Sequence, residues 1–276
     1  MSTDVGVENP TRRDFLKIAS SALGATIALE GGVWAFLNYT ATLRPPPERT
    51  FPPDFIYTGP EIKYLGEEAS TINTIQQDFL ITIKSPSQLP SGEATLPWKN
   101  AHLITLSMAL QRLPPSYLHH PRSPKEFMLI RTNQDNPYGI VELGYASRSL
   151  VVTLARNFSP HAPEPDIHNI YGDQASLLTA SLAHEYTHAY DEGHLRALTD
   201  WIEQMGWTQA ADNTWKNAYS QNLPPAPNPI INPVEDKAIC AGLMAVRPDI
   251  LSFKRKRFFL SRPEYRDWGA VKSNRL

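Results

Sequence analysis

Hydrophobic residues recur at helical spacing in two stretches of the chain. Over 96–113, Leu103, Leu106, Leu110 and Leu113 fall on one face, and Pro114-Pro115 closes the run, so a helix is predicted there. In QASLLTASLAHEYTHAY, residues 174–190, Leu178, Leu182, Tyr186 and Ala189 mark one face of a second helix, and the preceding Asp173 is placed to cap it. Three apolar stretches lie between them, 127–131, 138–146 and 149–155, separated by the turn-forming NQDNP and by Ser147-Arg148. These predict neighbouring, mostly antiparallel strands. Downstream, LRALTDWIEQMG, the loop NLPPAPNPIINP, VEDKAICAGLMAV and a basic tail predict a mainly helical C-terminal half. A helix, a small mixed sheet, a long helix and a helical lobe together predict an α+β domain.

Composition narrows the class. The 276 residues carry 26 Lys+Arg against 28 Asp+Glu and are 41% hydrophobic, which is ordinary globular usage with no electrostatic footprint of a nucleic-acid binder. The lone cysteine, Cys240, excludes an intramolecular disulfide framework and a Cys-based zinc or iron–sulfur site within one chain. No internal repeat is present, and 25 prolines imply many loops.

The first fifty residues read as an address. TRRDFLK, with Arg12 and Arg13 followed by Phe15, Leu16 and Lys17, precedes the apolar run IASSALGATIAL and resembles a bacterial twin-arginine export signal. That resemblance implies passage through the twin-arginine translocase, a periplasmic or other extracytoplasmic destination, and loading of any metal before export. The apolar segment is short for a spanning helix and is interrupted by Glu30, so cleavage and retention as an inner-membrane anchor both stay open. Residues 1–43 are thus read as a signal or anchor, 44–53 (RPPPERTFPP) as a stiff spacer, and 54–276 as the folded domain.

The chemistry concentrates in His184-Glu185-Tyr186-Thr187-His188, an HExxH motif inside the second predicted helix. At 3.6 residues per turn, positions i and i+4 share a face, so both imidazoles can reach one zinc ion, with Glu185 beside them as general base. A catalytic zinc needs a third protein ligand and an open position. Two candidates compete. His194 follows His184 by ten residues, the metzincin spacing, but Asp191 stands where that motif has its glycine. Glu235 lies in NPVEDKAICAGL, in the first turn of a helix that Pro233 opens.

HEYTHAYD followed about 45 residues later by NPxED at a helix start resembles the gluzincin peptidases, most closely the small gluzincins and the lethal-factor-type protease domain. The resemblance spans about residues 96–248. It implies a two-lobed zincin fold, Zn2+ held by His184, His188 and Glu235, Glu185 as the base, and a protein or peptide substrate lying extended along the edge of the sheet. Asp191 and Asp236 are candidates for orienting an imidazole, with a plain capping or solvated role as the alternative. Lethal-factor-type domains place a tyrosine shortly before the ligand glutamate to stabilise the oxyanion. None occurs from 220 to 234, which leaves Tyr219, Tyr190 and His194 as candidates. That gap also supports a rival from another class, a zincin-fold protein of the cell envelope that binds without hydrolysing.

The remaining features read plainly. Lys254 to Arg257 form a solvated helix face, with docking on anionic lipid the less common alternative. His119-His120 sit in a loop, Cys240 is a core thiol, and Trp201, Trp207 and Trp215 line the core or a cleft wall.

Overall fold

Phe127-Met128-Leu129-Ile130 and Leu150-Val151-Val152 are continuous apolar runs, and successive side chains of a strand point to opposite faces, so these strands must be covered on both sides. They are. A computed structural model describes residues 61–89, 91–121, 123–136, 140–146, 149–161, 168–219, 223–224, 232–262 and 265. In it Phe127, Leu129, Leu150 and Val152 join the main core, while Met128, Ile130 and Val151 form a smaller cluster with Leu89 on the other face. The sequence readings of residues 1–43, of the spacer 44–53 and of a domain start at Asp54 lie outside the described residues.

The elements run α1 (Glu67–Phe79), β1 (Thr82–Lys84), α2 (Asn100–Gln111), α3 (Pro115–Leu118), β2 (Glu126–Arg131), β3 (Ile140–Ala146), β4 (Ser149–Leu154), α4 (His168–Tyr171), α5 (Gln174–Gly193), α6 (Leu195–Met205), β5 (Trp207–Gln209), β6 (Trp215–Asn217), α7 (Pro233–Val246), a 3-10 turn (Pro248–Ile250) and α8 (Phe253–Ser261). The class is α+β, with a small mixed sheet and a helical C-terminal half, as the patterning predicts. The strand directions differ from expectation. The sheet order is β1-β2-β4-β3, with β1 parallel to β2, β2 parallel to β4 (Met128 opposite Val151), and only β3 and β4 antiparallel. β3 and β4 pair as an antiparallel hairpin with Ala146 opposite Ser149, whereas β2 and β3, though consecutive in the chain, have β4 between them.

The long helix α5 organises the rest. Asp173 caps it as predicted, its Oδ1 accepting from the Ser176 N–H at 2.8 Å. α5 packs on α2, β3 and, most extensively, α7. At the α5–α7 crossing the backbones nearly touch: a Cβ on Gly242 would stand 2.7 Å from the Ala180 carbonyl oxygen, so glycine is required there. α6 ends at Gly206 (φ 73), whose left-handed turn leads into the β5–β6 hairpin, an element the hydrophobic pattern did not predict.

Candidate metal centre

α5 and α7 each deliver part of one cluster. His184 and His188 sit one turn apart on α5. Glu235 sits in the first turn of α7, whose N-cap Asn232 accepts from the Glu235 N–H at 2.9 Å and so fixes where the glutamate leaves the helix. His184 Nε2 lies 2.9 Å from His188 Nε2 and 3.3 Å from Glu235 Oε2, and His188 Nε2 lies 3.5 Å from Glu235 Oε1. Ligand bonds of about 2.0–2.2 Å at the tetrahedral angle place neighbouring donor atoms about 3.3–3.5 Å apart, so the donor set and the two imidazole–carboxylate separations fit a zinc ion, while the two imidazole nitrogens stand closer than a bound ion would hold them. The three side chains keep 12–20% exposure, so the cluster is open to solvent.

The electrostatics are those of an ionised carboxylate held against two imidazoles. Burial pushes the Glu235 carboxyl up, but the two imidazoles outweigh it and bring it to about 2, so it is ionised at neutral pH. Burial lowers His188 to about 4, with His184 and the Lys237 ammonium acting in the same direction, so its ring is neutral and can donate a lone pair. Burial opposes a proton on His184 too, yet the Glu235 carboxylate outweighs it and raises this one imidazole. Glu185, next to His184 along α5, is buried.

His194 is not part of this cluster. It follows α5, its ring stacked on Tyr190 at 4.0 Å and 10°, and it lies 4.4 Å from His120, centroid to centroid. Among the described residues, the group of three or more acidic, His or Cys side chains close enough to share an ion is His184, His188 and Glu235. Tyr219 is 47% exposed and lies against Gly206, with the Lys254 ammonium 4.7 Å from its ring.

The two candidate supporting carboxylates have cationic partners. Asp191 and Lys237, both buried, form an ion pair that ties the end of α5 to α7. Asp236, fully buried, accepts from Trp201 Nε1 (3.2 Å), Trp207 Nε1 (2.9 Å) and Arg255 Nη2 (2.8 Å to each oxygen). Arg255 is therefore core, a correction to the solvated face expected of residues 254–257. Trp201 and Trp207 are core, and Trp215 packs half-buried against it. The residues that reasoning from sequence missed are Lys237 and Arg255. A charged residue at an inward position of a patterned helix was the signal for each.

No protein-family model matches the chain, and neither does any curated protein. Among solved structures the chain is similar to a "putative zinc-binding metallo-peptidase" from Bacteroides caccae, at 15% identity and a TM-score of 0.42, over 76% of this chain and 85% of that one. At that level the likeness carries no argument, and the functional reading rests on the geometry above.

Proposed function

We propose that this chain is an exported zinc metallopeptidase of gluzincin type, with His184, His188 and Glu235 as ligands and Glu185 as general base. The observation that carries the reading is the meeting of two imidazoles and an ionised carboxylate, from two helices, with one ligand atom of each within 4.8 Å of the others. Zinc, when bound, supplies a Lewis acid that brings an attacking water toward neutral pKa and polarises a scissile carbonyl. Glu185 accepts the water's proton on its carboxylate and returns it to the leaving amine. β3 is an edge strand of the sheet and packs against α5, so an extended peptide paired with its main chain would pass beside the cluster. The export step rests on the sequence of residues 11–29. Arg12→Lys with Arg13→Lys should leave the protein in the cytoplasm.

Zinc per chain, by elemental analysis of the purified protein, is the first test. About one zinc is expected in the parent, retained in Glu185→Gln and His194→Ala and lost in Glu235→Ala. Glu185→Gln should abolish peptide cleavage while keeping the metal. Retention of zinc in Glu235→Ala with loss in His194→Ala would move the third ligand to His194. Activity unchanged by Glu185→Gln would refute the catalytic role of that residue.

A further inference from the structure

The charge of the chain is unevenly spread. Residues 253–276 hold eight of the 26 Lys+Arg and only two of the 28 Asp+Glu, so the rest of the chain is acidic. Within this segment α8 divides its side chains between two faces. Arg255, bound to Asp236, points inward, and Phe258 meets Trp201 edge-to-face and Phe259 at a tilt, at centroid distances of 4.9 and 5.5 Å, which fixes the helix to the body. The other face carries Phe253 (74% exposed), Arg257 and Leu260 (54% exposed), positions i, i+4 and i+7 on one line, with Lys254 and Lys256 on its flanks. Tyr219 adds a half-exposed ring beneath Lys254.

We propose that this face of α8 docks on an anionic lipid bilayer, with Phe253 and Leu260 entering below the headgroups and Lys254, Lys256 and Arg257 meeting lipid phosphates. Two apolar side chains seven residues apart, about 10 Å along a helix, with an arginine between them do not form the clustered anchor of a protein interface. Separated apolar tips flanked by snorkelling cations suit a lipid surface. The acidic remainder of the chain would be repelled by the same surface, so this face sets the orientation of the domain. The inference is independent of the peptidase reading.

The test uses the full chain with a polarity-sensitive fluorophore at Phe253→Cys or at Leu260→Cys, both exposed positions, and Cys240 replaced by Ala in each. The probes are vesicles of phosphatidylcholine alone and vesicles with about one-third phosphatidylglycerol. A blue shift at both positions on the anionic vesicles, absent on the neutral ones, is expected. Lys254→Gln with Arg257→Gln should weaken it about 30-fold in apparent affinity. A label that stays water-like while the protein sediments with vesicles, held by another segment, overturns the proposal. So does an equal shift on neutral vesicles. A shift without vesicles that grows with protein concentration also overturns it, assigning the face to a second copy of the chain.

Discussion

Lys237→Met removes the ammonium that neutralises Asp191 at the α5–α7 junction. Both side chains are buried, at 0% and 4% exposure, so water does not replace the lost charge readily, and among the described residues Asp191 Oδ2 has no hydrogen-bond partner. Breaking a buried pair by deleting one partner costs about 3–5 kcal/mol. Against a total of about 5–15 kcal/mol this is a large share, and it lowers Tm by about 6–20 °C for a domain of this size. Burial already raises the Asp191 pKa and Lys237 opposes that rise, so the variant raises it further. The native carboxyl then binds a proton that the unfolded chain, with its lower pKa, does not hold. The deficit should therefore be largest above neutral pH and shrink as pH falls through the folded pKa. Asp191→Leu combined with Lys237→Met, which removes both charges, should recover most of the loss. Urea unfolding of the chelator-treated parent, single and double variants at pH 5 and pH 8 measures all of this. Single-variant losses that simply add in the double, or a Lys237→Met deficit identical at both pH values, would refute the buried-pair argument.

Gly242→Ala forces a methyl against the Ala180 carbonyl and should cost about 1–3 kcal/mol in urea unfolding, with weaker zinc retention because α7 must back away from α5. His102 is buried, its Nδ1 accepts from the Lys99 N–H at 3.2 Å, and burial with Arg131 and Lys99 lowers its pKa to about 4. The unfolded chain binds this proton near 6.5, so stability falls as pH drops from about 6.5 to 4. The loss is on the order of 2 kcal/mol after allowing for solvent screening, and His102→Asn should flatten that part of an acid-unfolding curve.

Local patterning carried α5, its Asp173 cap and the Pro233 start of α7, because each depends on residues within one or two turns. The 96–113 helix shortened to Asn100–Gln111 because its apolar spacing runs on into a turn that packs the same way. Strand direction failed where sequence adjacency stood in for spatial adjacency. The unbroken FMLI and LVV runs already carried the signature of parallel strands covered on both faces. Within the cluster, HExxH spacing locates the pair of imidazoles, while the choice between His194 and Glu235 depends on the α5–α7 crossing, which a close glycine contact and the buried Asp191–Lys237 ion pair arrange. Lys237 and Arg255 were illegible for the same reason. Each finds its carboxylate 46 or 19 residues away, beyond the reach of any local pattern.

The course of the chain between β2 and β4 has a consequence for how such a protein can diversify. The interior strands pair with each other directly, in parallel, and β3 is an outward excursion that rejoins the sheet only at its edge. A register irregularity between Ile140 and Glu142 bends that edge strand, a device that hinders copies from adding to one another edge to edge. β3 is therefore a strand of this sheet whose sequence can change without touching the direct β2–β4 pairing.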